Sequence, residues 1–459
     1  MKSARDAHPN IKAVMALLFV GVLMGALDLA IIGPALPAMQ AEFDFDNRQL
    51  SWLFNIYVLA QLIGTPLLAK MSDRFGRRDV YIGCVVGFAL GSLMIVLATN
   101  IETLLVGRAI QGLGASGIFP VAAAVIGDTF PEEKRGGALG LIGAVFGIAF
   151  LIGPVLGGIL LRYSWHWLFV INLPIAAVLV VAAWRLLPAT GTDSQLPFDW
   201  RGGLLLSAAL LGVAVGVTNL ETNDLVRSVT SIEVWPWLLL ALIVLPLFWR
   251  SQHSAPDPII SPAFFRSRQL RVIFIIAAGV GTVESAQVFF PALAVAALAV
   301  TESTAAFLML PSVFVMIFVS PIAGKLVDRI GPKPLVHASL TFLFAGILIF
   351  GLASMDYVSF IGGGIVAGIG LAGILGAPLR YIILEEARPE DRASAQGLLN
   401  IFLAIGQLLG AAIVGAVATS RGGGETGYQA AYVVLAALSC AILALSFRLR
   451  KHLAAAPAA

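Results

Sequence analysis

Charge is scarce in this 459-residue chain: Asp, Glu, Lys and Arg make up 12% of it, and hydrophobic residues 59%. Soluble domains carry roughly 25% charge, so a soluble fold of this size could not cover its surface. Cysteine is nearly absent. Cys84 and Cys440 both fall in apolar stretches, which excludes a disulfide framework or a zinc site. The five histidines (His8, His166, His253, His337, His452) include no pair at metal-ligand spacing. A Walker-type phosphate loop and a His-Glu-x-x-His pair are also missing, so neither ATP hydrolysis nor zinc proteolysis has an apparatus, and no cofactor is expected. The net charge of +3 gives no reason to expect a nucleic-acid partner. No removable signal peptide is expected either: the first apolar run, from about Met15 to Pro34, is too long and lacks an A-x-A-like site.

What the chain does contain is apolar runs of about 20 residues, each able to cross the ~30 Å hydrocarbon core as a helix. Fourteen are expected, near 12–34, 50–69, 80–98, 102–125, 138–160, 167–187, 202–219, 233–249, 271–297, 304–324, 334–354, 357–381, 395–418 and 428–448. The Lys/Arg bias of the loops sets the orientation. With a cytoplasmic N-terminus, the inner segments collect 23 of the 29 Lys and Arg, the outer loops hold only Arg48, Arg162, Arg227 and Arg421, and Arg108 and Arg380 lie within spans. A cell (inner) membrane protein with both termini cytoplasmic is the expectation. Most tryptophans (Trp52, Trp165, Trp167, Trp235, Trp237, Trp249) fall near span ends, as an interfacial belt requires.

The chain also repeats itself. Pro66-Leu-Leu-Ala-Lys-Met-Ser-Asp73-Arg74-Phe-Gly76 matches Pro321-Ile-Ala-Gly-Lys-Leu-Val-Asp328-Arg329-Ile-Gly331 at an offset of 255. Gly112-x-Gly114-x-x-Gly117 recurs as Gly368-x-Gly370-x-x-Gly373 (offset 256), and Pro131-Glu-Glu-Lys as Pro389-Glu-Asp-Arg (offset 258). Three matches at nearly one offset define two six-helix halves, 1–187 and 266–459, with a linker at 188–265 that carries two extra helices. Parallel halves of this kind pack about an axis along the membrane normal and leave a central site between them. The two Gly-x-Gly-x-x-Gly runs lie inside apolar spans, with no soluble strand before them, so close helix packing explains them better than a dinucleotide fold.

The loop Ala69-Lys-Met-Ser-Asp73-Arg74-Phe-Gly76-Arg77-Arg78 resembles the signature between the second and third helices of major facilitator superfamily transporters. Arg108-Ala-Ile-Gln111-Gly112-Leu-Gly114 is similar to the fourth-helix motif. The run Gly143, Gly147, Gly153-Pro154, Gly157-Gly158 is similar to the fifth-helix motif associated with antiporters. Asp28-x-Ala-Ile-Ile-Gly-Pro34-Ala-Leu-Pro37, Trp165-His-Trp167-Leu-Phe-Val-Ile-Asn172-Leu-Pro174 and Asp199-Trp200-Arg-Gly resemble the 14-span drug/proton antiporter branch. The resemblance covers essentially the whole chain. It implies an all-α integral membrane protein of the major facilitator fold, with a gate at Asp73, Arg74, Gly76, Arg77, Arg78, Asp128, Asp328 and Arg329 that breaks as the halves rock. Three departures stand out: Ala69 in place of Gly, His166 in place of Arg, and Phe289-Phe290-Pro291-Ala292-Leu293 in place of the Tyr/Gln pattern of drug exporters.

The residues themselves leave alternatives open. Asp73, Arg77 and Asp128 read either as a solvated turn or as a latch that satisfies helix ends. Gly143, Gly147, Gly153 and Gly157 read as packing, with Pro154 adding a kink. An ionisable group within a span costs roughly 2.5–3.5 kcal/mol on insertion scales and reads by default as a site. Asp28, Arg108 and Glu284 qualify. Asp28 and Glu284 are repeat equivalents (offset 256), whereas Arg108 corresponds to Gly364. A contact between Asp28 and Arg108 is expected, as a structural ion pair or as part of a site, and Glu284 is expected to have no charge near it at its depth. Burial favours a neutral acid and a nearby cation opposes that, so among the proton-coupling candidates Glu284, Asp28 and Arg108 the role falls primarily to Glu284. Substrate or cation recognition and gating are assigned to Asp28, and both carboxylates are expected at the substrate cavity. Gln111, Asn172, Asn400 and Gln407 fit a substrate cavity or polar glue between helices.

The function expected is a proton-coupled exporter of small hydrophobic or amphiphilic compounds, working in the lipid bilayer with protons as partner. The apolar second half keeps a lipid or glycolipid exporter in view. An intramembrane enzyme would need a catalytic cluster at one depth, and none appears; a sensor built on a transporter fold would be separated from transport by substrate counterflow. Orientation is the most direct expectation to check. Reporter fusions after Thr99, Thr222 and Ser420 should report the outer side, and fusions after Arg78, Pro131 and Ser261 the cytoplasm; a cytoplasmic signal at Thr222 would remove the inserted pair.

Overall fold

The computed structural model describes residues 10–43, 47–189, 197–220 and 225–450. Those residues form helices and connecting turns, with no strand among them. Fourteen long helices are numbered here in chain order. The first six are α1 (Ile11–Phe43), α2 (Asn47–Phe75), α3 (Arg77–Val96), α4 (Ile101–Thr129), α5 (Glu132–Leu160) and α6 (Asn172–Leu186). A hairpin follows, α7 (Trp200–Thr218) and α8 (Trp235–Ser254). The remaining six are α9 (Arg268–Glu284), α10 (Leu310–Ile330), α11 (Pro332–Leu352), α12 (Tyr357–Gly376), α13 (Arg392–Ser420) and α14 (Gly424–Ser446). A 3-10 turn and Phe290–Leu298 prolong α9, and Pro378–Glu386 prolongs α12. Among the described residues, thirteen helical stretches are long and apolar enough to cross a membrane. The fourteenth, α8, has 20 residues but ends in Arg250 and polar neighbours, and it packs antiparallel on α7 through Gly212 against Trp237 and Ala241.

Several helices run beyond the apolar stretches that mark them in sequence. The stretch expected to end near 324 continues to Ile330, and the one expected to end near 69 continues to Phe75. Both stop where a glycine takes a left-handed φ, Gly76 at 100° and Gly331 at 80°, a conformation that L side chains disfavour. Helix starts show the opposite chemistry. Asn100, Asp199 and Asp356 accept hydrogen bonds from the backbone N–H groups of Thr103, Gly202 and Ser359, the usual N-cap arrangement. The Ser359 bond also holds the exposed Asp356 carboxyl below its ordinary pKa.

Packing follows the repeat. In the first half α4 packs on α2 and α3, α5 on α1, and α6 on α3. The second half repeats this with α12 on α10 and α11, α13 on α9, and α14 on α11. The close crossings depend on glycine. A Cβ on Gly114 would stand 2.3 Å from the Phe88 nitrogen, and one on Gly370 2.3 Å from the Leu343 nitrogen. The glycine repeats are therefore packing faces, where small residues let backbones approach. Trp165 departs from the expected belt: it is 4% exposed, its indole donates to Glu42 at 2.6 Å, and it stacks on His166.

Gly114→Ala should lower stability by about 1–3 kcal/mol through overpacking. Gly158→Ala, where an added Cβ meets nothing within 4 Å, should be neutral or slightly stabilising. Thermal unfolding of the two purified variants checks this.

Candidate functional site

Three groups of polar side chains interrupt the apolar interior. The first lies wholly within the N-terminal helices. Arg108 of α4, fully buried, donates from Nη1 to Asp28 Oδ2 and to Gln111 Oε1, each at 2.6 Å, and from Nε to the Leu53 carbonyl at 3.0 Å. The amide of Gln111 donates to Asp28 at 2.7 Å and to Ser92 at 2.9 Å. Asn172 reaches both Ser92 and Asp28. The guanidinium carbon stands 4.3 Å from the Tyr57 ring centre, while Arg108 Nη2 and the Tyr57 hydroxyl lack hydrogen-bond partners. Asp28, Arg108, Gln111 and Asn172 are thus brought together, along with Tyr57 and Ser92, which the sequence reading passed over.

The second group lies in the C-terminal helices. Glu284, partly buried at the end of α9, lies within electrostatic reach of the Gln407 amide of α13. The expectation that it has no charge near it does not hold. Arg380, on the continuation of α12, lies within electrostatic reach of Glu284, although no ion pair closes between them. Its guanidinium donates instead to Gln396 at 3.3 Å and to Asn400 at 3.1 Å. Asn400 therefore belongs with Arg380 rather than with Glu284. The repeat concealed this cation, because the position matching Arg108 is Gly364 and Arg380 stands 16 residues further along the chain; its signal was simply a lone arginine in an apolar run. Among the described residues, no hydrogen bond or ion pair joins the Asp28 and Glu284 groups.

The third group fastens the halves at the end of the bundle that carries the repeated loops. Asp73, 7% exposed, accepts from the backbone N–H of Ala393 at 3.0 Å and of Ser394 at 2.7 Å, at the start of α13. Arg77 donates to Asp73, to Asp128 at 3.0 Å and to the Pro389 carbonyl at 3.1 Å. Arg392 donates to Asp128 at 2.7 Å. The repeat partner Asp328 does the reciprocal job, accepting from Gly136 and Gly137 at the start of α5, each at 2.7 Å. Each carboxylate thus meets the positive end of a helix in the opposite half. Arg74 pairs with Asp257 at 2.9 Å, beyond the α8 end of the hairpin, and Lys70 pairs with the same carboxylate. Arg78 bonds only its neighbour Asp79, and Arg329 is exposed, so neither enters the latch. Below it α5 lies directly on α10: a Cβ on Gly143 would meet Gly376 Cα and Ser320 Oγ, each at 2.6 Å, and one on Gly147 would meet Ile317 at 2.9 Å. Gly153 lies against Ala30 of α1, Gly157 is buried, and the side chain of Pro154 lies outside the described residues.

Comparison with known proteins fits this architecture. The sequence model of the Major Facilitator Superfamily matches residues 18–286 and 272–459. The chain belongs to that superfamily. It is 33% identical over 415 residues to the MFS-type transporter YfiU of Bacillus subtilis, covering 89% of this chain and 80% of that protein. It is 28% identical to Multidrug resistance protein 3 of the same organism, over 92% and 82% of the two chains. The solved human organic anion transporter MFSD10 shares the fold, with a TM-score of 0.70 at 16% identity over 95% of this chain and all of that one. This major facilitator protein is accordingly a multi-pass membrane protein with the fold and relatives of transporters.

Proposed function

We propose that the protein is a proton-coupled exporter of hydrophobic or amphiphilic compounds, working by alternating access between two halves, 1–187 and 266–459. One observation carries the reading: two embedded carboxylates at repeat-equivalent positions meet different surroundings. Asp28 is ion-paired directly with Arg108, whereas no ion pair closes on Glu284 among the described residues and its electrostatic neighbours are the amide of Gln407 and, more weakly, Arg380. A proton arriving at Asp28 must disturb the contact with Arg108, whereas Glu284 can exchange one without breaking an ion pair. Proton coupling is assigned to Glu284, and recognition and gating to Asp28 and Arg108. Gln111, Asn172 and Gln407 line the path beside these carboxylates.

The latch supports alternating access. The charge bias of the loops supports a cytoplasmic position for it, and on that reading the conformation described is closed toward the cytoplasm. The multidrug relative supports small apolar compounds as cargo. Export of a lipid or glycolipid is the second reading, favoured by the aromatic packing of the C-terminal half, where Phe290, Phe350, Phe360 and Tyr432 cluster.

The test is transport in proteoliposomes with and without an imposed pH gradient. Glu284→Gln, which mimics the protonated acid, should lose gradient-driven transport at least tenfold while retaining substrate exchange. A full response to the gradient in Glu284→Gln, together with its loss in Asp28→Asn, would reverse the assignment.

A further inference from the structure

The two buried arginines are not equivalent. Arg108 has a carboxylate in direct contact at 2.6 Å. Arg380 is 7% exposed and has none at that range among the described residues. Its two terminal nitrogens rest on neutral oxygens at 3.3 and 3.1 Å, and its Nε has no hydrogen-bond partner. Glu284 is near enough to be felt but does not close on it. A cation embedded without a carboxylate in contact is an expensive feature of a membrane interior, and such groups mark sites. The guanidinium edge with a free Nε matches the planar, two-oxygen face of a carboxylate.

What covers the flat face of this guanidinium comes from the other half. Phe119 of α4 lies over the guanidinium, its ring centre 4.1 Å from the central carbon, and Phe146 of α5 packs against Phe119 with ring centres 5.6 Å apart. The cation–π contact is a weaker substitute for an anion, and it bridges two bodies that must separate when the latch opens.

We infer that Arg380 is the recognition site for the anionic head of an amphiphilic substrate, with Phe119 as its cover in the closed conformation. This deepens the export reading and rests on it for direction. With the cytoplasmic side open, Phe119 withdraws and the guanidinium takes the carboxylate of an amphiphile, whose apolar part lies along the aromatic side chains. On closure Phe119 returns to the guanidinium face and competes with the anion for the cation's charge, which weakens the anion's hold.

The experiment uses 11-(dansylamino)undecanoate, a fluorescent amphiphilic carboxylate, and its neutral methyl ester. Binding of each to the purified full chain in nanodiscs is measured at one pH, with empty nanodiscs subtracted. Wild-type protein should prefer the carboxylate at least tenfold. Arg380→Gln should abolish that preference while still binding the ester, Arg380→Lys should keep part of it, and Phe119→Ala should increase it. Equal binding of the two probes by wild-type protein, or a preference that survives Arg380→Gln, overturns the inference. Loss of both probes in Arg380→Gln and Arg380→Lys alike also overturns it, since that result marks a structural role. Because binding is read without a gradient, failure of proton-driven export in the Glu284 experiment would leave this outcome separately legible.

Discussion

A carboxylate from each half binds backbone amides in the first two turns of a helix in the other, and the rest of the architecture is arranged around that exchange. Asp73 takes the N-terminal amides of α13, and Asp328 takes those of α5. Hydrogen bonds to an ionised acceptor contribute about 1.5–3 kcal/mol each, and two reciprocal sets make the join cooperative rather than hinged at one point. The two sides are not identical. Arg77 and Asp128 reinforce Asp73, whereas the position matching Arg77 in the repeat is Pro332. The second latch relies instead on backbone contact between Gly136 or Gly140 and Gly324. One side is held mainly by charge and the other mainly by close packing.

Above the latch, the embedded charges divide the labour. The Asp28 group is paired in charge: carboxylate, guanidinium, two amides and a hydroxyl bond one another, although Arg108 Nη2 and the Tyr57 hydroxyl stay without a partner among the described residues. Removing one member of a buried pair typically costs 3–5 kcal/mol, which suits a rigid framework. The C-terminal group differs in charge pairing: among the described residues Arg380 rests on neutral oxygens and closes no ion pair with Glu284. A site without a closed ion pair is the one able to accept a proton or an anion. The cation–π bridge from Phe119 to Arg380 links that site to the opening of the halves.

Much of this was legible in the sequence, because membrane insertion makes polarity expensive and therefore informative. The repeat offsets led directly to the paired helices, and the isolated charges Asp28 and Arg108 led to a contact that the structure contains. Reading by repeats also misled. It compared Arg108 with Gly364 and left Glu284 without a cation, while Arg380 lay on the same helical continuation at a different depth. Depth is not written in a run of apolar letters, and neither is a carboxylate's choice between solvent and the amides of a distant helix. Helix ends were also set short, since α2 and α10 carry charged residues past the apolar stretch until a glycine stops them.

The central claim is that the reciprocal carboxylates keep this end of the bundle shut. Spin labels at the exposed positions Asp79 and Arg388, one in each half, report the separation directly. In an otherwise unchanged protein in nanodiscs, electron–electron distance measurements should show one short population. The double variant Asp73→Ala/Asp328→Ala should add or shift to a longer one as the halves part. An unchanged distance distribution in a folded double variant would contradict the account.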